Sequence, residues 1–229
     1  MIAEDVTVGQ LSEKSVLVVD DERFSRVVLT GMLRKLGAAA CDAANGEEAL
    51  AVLEGEGGDT VDCVIVDFDM PRMNGLELLK SIRTGQYAVR RDLRVVMLTA
   101  NTERGLIGAA MALDVDAFLI KPSTRAVIGE RVGRAISMAW PLRAAEEYAA
   151  VEVSDGNGPS RPAQPTPADG ARMVGLDDVP EGAVLAADVL TRSGICLLGV
   201  GQELSARTLQ SLRDIQCDDD PIDAIFIAA

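Results

Sequence analysis

Apolar residues follow two alternating rhythms over residues 14–138. Short unbroken runs, SVLVV at 15–19, VDCVIV at 61–66, LRVVML at 93–98 and AFLI at 117–120, predict buried strands. A fifth strand is expected at 38–43, although its alanines are weak strand formers. Between these runs the period changes. Phe24, Val27, Val28, Gly31, Met32 and Leu36 recur at helical spacing, and Gly37 follows as a stop. Asn45 and Gly46 turn the chain into a helix through Ala49, Leu50 and Leu53. Leu76, Leu79 and Ile82 share one face of another, and residues 106–113 and 124–139 supply two more. In the last helix Val127, Ile128, Val132, Ala135 and Ile136 are expected to face the sheet. Glu130, Arg131 and Arg134 are expected to face outward as a mixed-charge surface suited to reversible pairing. Five strand-then-helix units with continuous apolar strands predict an α/β fold, a doubly wound parallel sheet covered on both faces.

The pattern then breaks. Pro141 ends or kinks the last helix. Residues 155–169 hold four of the nine prolines and no large apolar residue, which reads as an extended linker. Residues 173–229 return to apolar runs, with strands expected at 183–189, 195–200 and 222–227, a turn at Ser193 and Gly194, and a helix through Leu209 and Leu212. The chain thus divides into residues 1–140, a helix end and proline-rich linker at 141–172, and a small α+β, β-rich module at 173–229.

Composition narrows the chemistry. The 229 residues carry 22 Lys plus Arg against 36 Asp plus Glu, a net charge of −14, which disfavours nucleic acid and anionic membrane surfaces as partners. The C-terminal module, with three arginines against ten carboxylates, holds −7 of that charge, so DNA reading is not expected there. Histidine is absent, which removes histidine-based acid–base catalysis and histidine-ligated metal sites. Cys41, Cys63, Cys196 and Cys217 are scattered without a paired motif and read as reduced thiols of a cytoplasmic protein. Neither a signal-peptide pattern nor an apolar run long enough to span a membrane is present.

In an open parallel sheet, ligands bind beyond the carboxyl ends of the strands. Asp20, Asp21 and Glu22 follow the first strand, and Asp67, Phe68 and Asp69 the third. Thr99 follows the fourth, and Lys121 and Pro122 the fifth. Like charges about 4 Å apart repel by about 4 kcal/mol at an effective dielectric near 20, so Asp20, Asp21 and Asp67 call for a cation. Oxygen ligands with retained waters suit Mg²⁺, and a carboxylate between metal and ammonium can attack a phosphoryl group. Lys121 can then pair with phosphoryl oxygens and Thr99 can hydrogen-bond one. Any one aspartate at a strand end is more often a helix cap, and the weight lies in the whole set.

Four blocks in order, VLVVDDE (16–22), VIVDFDMPRMNGLELL (64–79), VVMLTA (95–100) and DAFLIKP (116–122), resemble the receiver domain of two-component response regulators. The resemblance implies a flavodoxin-like five-stranded sheet, Asp67 as phosphoacceptor, and Mg²⁺ held by the side chains of Asp21 and Asp67, the carbonyl of Asp69 and, through water, Asp20. It also implies Thr99 as switch hydroxyl, Phe118 as switch aromatic and Lys121 as the family's lysine. The donor implied is a histidine kinase or phosphotransfer protein, and a homodimer through the last helices becomes an option. Asp114 stands where glycine is common before the last strand, and aspartate tolerates the left-handed conformation.

Residues 176–212 are similar to a short β-rich module found ahead of HD-GYP phosphodiesterase domains, but the chain lacks that domain's histidines. The expectation is a non-catalytic output or interaction module with a protein partner. Two other readings stand beside this. One is a haloacid-dehalogenase-type phosphatase using Asp67 and Asp69, which leaves Asp20 and Asp21 without a role. The other is a receiver-fold adaptor that is never phosphorylated.

Overall fold

A computed structural model describes residues 10–100, 106–153, 167, 170–192, 196–216, 221–222 and 224–228. Strands β1 (Ser15–Val19), β2 (Ala39–Ala43), β3 (Cys63–Asp67), β4 (Arg94–Thr99) and β5 (Ala117–Ile120) form one sheet in the order β2-β1-β3-β4-β5. All four pairings are parallel. Helices α1 (Arg23–Lys35), α2 (Gly46–Glu54), α3 (Gly75–Thr84), α4 (Ile107–Ala112) and α5 (Arg125–Ser137) connect or follow the strands.

The strands read as unbroken apolar runs because both faces are covered, and successive residues serve opposite faces. Val16, Val18, Cys63, Ile65, Val96, Leu98, Ala117 and Leu119 pack under α1 and α5 with Leu33, Ile128 and Val132. Leu17, Val19, Val64, Val66, Val95, Met97 and Phe118 pack on the other face with Leu50, Leu76, Leu79 and Met111. The helix ends follow local chemistry. Asn45 caps α2 by accepting from Glu48 N, and Asn74 and Glu77 cap α3 reciprocally. Gly37 (φ +95°) ends α1, and Asp114 (φ +53°) takes the left-handed conformation before β5.

Of the apolar positions at helical spacing in α1 and its cap, Leu36 is buried and Met32 packs against the core, but the N-terminal ones do not. Phe24 and Val27 are 72% and 60% exposed, while Leu29 and Leu33 face the sheet. Helix α1 carries two apolar stripes, and periodicity alone does not say which one meets the core. Val127 of α5 is likewise exposed, whereas Ile128, Val132 and Ala135 are buried as expected.

The stretch expected to be only helix end and linker contains a further helix, α6 (Ala145–Ala149), packed on α3. Tyr148 is buried there and donates to Asp114 Oδ2 at 2.6 Å, and Lys80 Nζ donates to Val151 O at 2.7 Å. Most of the proline-rich stretch, the turn at Ser193 and Gly194, and Cys217 lie outside the described residues. Cys41 and Cys63 are free thiols.

The C-terminal module has β6 (Arg172–Val174), β7 (Ala183–Val184), β8 (Val189–Leu190), β9 (Cys196–Leu198), β10 (Glu203–Leu204), α7 (Ala206–Ile215) and β11 (Ile225–Ile227). The strands pair antiparallel as β6 with β11, β7 with β10 and β8 with β9. The single strand expected at 183–189 is broken into β7 and the start of β8, and between them Asp188 accepts from Val200 N at 2.9 Å. The module does not stand apart on a tether. Leu197, Leu209, Leu212 and Ile215 belong to the same apolar core as Phe118 and Met111. Arg131 and Arg134, expected outward, both pair with Asp214 of α7, so the surface assigned to reversible pairing is covered by the chain itself. Among the described residues, no helix is long and apolar enough to cross a membrane.

The two stripes of α1 give opposite outcomes on truncation. Leu33→Ala should destabilise the chain by about 2–5 kcal/mol in chemical denaturation. Phe24→Ala should change it by no more than about 0.5 kcal/mol. Equal losses would mean that the helix is rotated from the position described.

Candidate functional site

Sheet register brings the chemistry together. Val19 of β1 pairs with Val66 of β3, Asp67 with Leu98 of β4, and Thr99 with Ile120 of β5. The residues at or just past these strand ends therefore meet along one edge. Asp20, Asp21 and Asp67 each offer a carboxylate oxygen, and these oxygens lie within 4.8 Å of one another. Asp20 is fully buried, Asp67 is buried and Asp21 is exposed, so the group has a closed floor and an open mouth.

Lys121 reaches into this group from the end of β5. Its Nζ lies 2.6 Å from Asp67 Oδ2 and 3.1 Å from Asp20 Oδ2. Burial pulls the pKa of the ammonium down, but the hydrogen bond and charge of Asp67, reinforced by Asp20, outweigh it and hold the pKa above the ordinary lysine value. Lys121 thus stays charged through the neutral range. Its peptide bond to Pro122 is cis.

Each carboxylate is held in place. Asp20 accepts from Glu22 N at 2.8 Å and from Ser25 Oγ at 2.7 Å. Arg26 Nη1 donates to the carbonyls of Asp20 and Asp21 at 2.7 and 3.0 Å, which pins the loop after β1. Asp67 Oδ1 accepts from Phe68 N at 2.9 Å. Gly75, at the start of α3, abuts the backbone of Asp67, since a Cβ there would lie 2.1 Å from Asp67 O. Ser25, Arg26 and Gly75 escape sequence reasoning that looks only at strand ends. Their signal is positional: Ser25 and Arg26 open the helix after the acidic pair, and Gly75 is the first helical residue after Asn74.

Thr99 is buried at the end of β4, and its Oγ1 donates to Ala100 O at 3.0 Å. Phe118 is buried in mid-β5 and stacks on Phe68 with ring centroids 6.4 Å apart and planes 15° apart. The aromatic pair joins the residue after Asp67 to the strand that delivers Lys121. Asp69 is exposed and is not one of the three grouped carboxylates.

The donor set fits a divalent cation. Three carboxylates offer oxygens within 4.8 Å of one another, and hard oxygen ligands of this kind suit Mg²⁺.

Comparison with known proteins gives the same picture. The profile of the response regulator receiver domain matches residues 16–133. The Regulator of RpoS of Escherichia coli (strain K12) is 41% identical over 110 residues, covering 48% of this chain and 30% of that protein. The chain therefore spans less than a third of the length of that relative. The chemotaxis protein CheY of Pseudomonas aeruginosa is 31% identical over 118 residues, covering 51% of this chain and 91% of that protein. A putative response regulator from Chloroflexus aurantiacus superposes with a TM-score of 0.50 at 28% identity, over 56% of this chain and 100% of that one. With strand ends, acidic group and lysine in one place and the profile spanning the whole sheet, the chain belongs to the response regulator receiver family.

Proposed function

We propose that the chain is a phosphorelay response regulator in which Asp67 accepts a phosphoryl group from the histidine of a kinase or phosphotransfer protein. The observation that carries this reading is the contact of Lys121 Nζ with Asp67 Oδ2 at 2.6 Å inside a group of three carboxylates. A carboxylate oxygen of Asp67 bonds to phosphorus as the bond from phosphorus to the donor's imidazole nitrogen breaks, and the imidazole leaves with the electron pair. Lys121 stands where it can exchange a carboxylate for the new phosphoryl oxygens. Thr99 lies on the neighbouring strand end, where a turn of its hydroxyl away from Ala100 O serves as the switch.

Asp21 and Asp67 by side chain, Asp69 by its carbonyl and Asp20 through water are assigned as the holders of Mg²⁺. The cation supplies neutralisation of the phosphoryl oxygens and holds the donor in line with the nucleophile. Asp20 and Asp21 repel an anionic donor without it, by about 1 kcal/mol per charge pair at 4 Å in water and more in the half-buried site.

Phe24 and Val27 are exposed on α1, directly after the acidic pair. They are assigned as the apolar contact for the phosphodonor protein. The C-terminal module, acidic and without histidine, is assigned to protein-mediated output, with no phosphodiesterase chemistry and no nucleic-acid binding. The chain's own chemistry is then confined to gaining and slowly losing the group on Asp67, and its place of work is the cytoplasm.

Two measurements test the assignment. Wild-type chain given a small phosphodonor and Mg²⁺ should gain one phosphoryl mass by intact-mass analysis. Asp67→Asn should gain none, and chelation of Mg²⁺ should abolish the gain in wild type. Equal labelling of the Asn variant would overturn the acceptor. Phe24→Glu should slow transfer from a kinase active on the wild type by about tenfold or more, the loss of one apolar anchor. The same variant should be labelled by the small phosphodonor at the wild-type rate. Slowing with both donors would remove Phe24 from the docking surface.

A further inference from the structure

A cavity of about 560 Å³ lies where the end of α4, residues 140–143 and the start of α7 meet. That size falls in the ordinary range of small-molecule sites. None of the carboxylates grouped at Asp67 lines it. Its walls are of three kinds. Trp140, partly buried, supplies a flat apolar surface, with the guanidinium of Arg207 6.0 Å from the ring centroid. Arg143 and Arg207 supply positive charge, and Glu181 and Glu203 are exposed carboxylates of the rim.

The inner wall is built to receive an anion. Arg207 is only 7% exposed, and its Nη2 donates to Asp116 Oδ1 at 2.6 Å. Its Nε is buried with no hydrogen-bond partner among the described residues. A buried guanidinium N–H without an acceptor is costly, and a ligand oxygen in the cavity relieves it. Asp114 also lines the cavity, but its carboxylate is engaged by Arg143 Nε at 3.1 Å and by the Tyr148 hydroxyl at 2.6 Å. Arg83 and Arg94 join Arg207 around Asp116 just behind. The wall is thus rich in arginine within a chain of net charge −14. The first turn of α7, a helix of ten residues, lies on the same wall through Ala206, Arg207 and Thr208. Ser205 Oγ accepts from Thr208 N at 3.1 Å, and the N–H groups ahead of it have no partner within the helix. A helix start of this kind favours negative charge.

We propose that this cavity binds a small anion joined to a planar ring that carries N–H donors, the chemistry of a guanine nucleotide. The phosphate meets Arg207 Nε, Arg143 and the first turn of α7, and the base lies along Trp140. A carboxylate accepts from both the ring N–H and the amino group of guanine, a role that falls to Glu181 and Glu203. The matching edge of adenine turns a ring lone pair toward the carboxylate and is disfavoured. The bound ligand touches α4, residues 140–143 and α7, and so ties the sheet domain to the C-terminal module. The site is independent of the reading of Asp67.

Trp140 is the only tryptophan of the chain, so its fluorescence reports on the cavity alone. Titration of the full chain with guanosine monophosphate should quench it saturably, with a Kd below about 1 mM that calorimetry reproduces. Guanosine and inorganic phosphate should each bind about tenfold or more weakly, and adenosine monophosphate about fivefold or more weakly. Arg143→Gln should weaken guanosine monophosphate by about tenfold and leave guanosine unchanged, the loss of one charge-assisted hydrogen bond. Glu181→Gln combined with Glu203→Gln, both at exposed positions, should erase the preference for guanine over adenine without weakening adenosine monophosphate.

Absence of saturable binding by guanosine monophosphate would overturn the site. Guanosine or phosphate binding as tightly as the nucleotide would overturn it too, because ring and anion would not be read together. Equal affinity of the two nucleotides for the wild type, or an intact preference in the double variant, would overturn the guanine assignment. Should Arg143→Gln fail to fold, the comparison of nucleotide with nucleoside on the wild type decides the anion wall alone.

Discussion

Three carboxylates whose oxygens approach within 4.8 Å cannot share the end of a sheet without a positive charge among them. Lys121 supplies such a charge, and much of the architecture serves to deliver it. A parallel sheet places every strand's carboxyl end on one edge, so residues far apart in sequence converge without any loop having to fold back. The lysine lies 54 residues from Asp67 and 101 from Asp20. The packing on both faces fixes the strands that carry the site, and Arg26 and Gly75 fix the loops. The site is thus strained electrostatically and braced mechanically.

Much of this was legible in the sequence for a physical reason. Strands buried on both faces appear as unbroken apolar runs, and four of the five lie within two residues of where those runs stand. The fifth, in alanines at 39–43, was legible through its place between two helices. The acidic group was legible because the end of a buried strand is where polarity returns abruptly, so the chemistry is marked by the same contrast that marks the fold.

What was not legible depends on distant partners. Phe24 and Leu33 are both apolar and both helical, and only the sheet decides between their faces. Arg131 and Arg134 look like solvent-facing charges because the carboxylate that takes them lies about eighty residues away. Tyr148 sits beyond the proline that closes the last predicted helix, and its burial depends on Asp114 and Arg143. The C-terminal module shows the same limit. Its strands are two or three residues long, too short for periodicity, and its docking comes from a shared apolar core and from distant ion pairs that no local pattern encodes.

Arg83 carries a further consequence. Its side chain is wholly buried, and all five of its N–H donors are used. They go to the carbonyls of Arg91, Leu93 and, twice, Asp114, and to Asp116 Oδ2. No other natural side chain offers five donors in a planar fork, and a lysine would leave carbonyls stranded in the interior. Helix α3, the turn before β4 and the start of β5 are thereby tied to a single side chain, so Arg83, Asp116 and these turns can be exchanged only together.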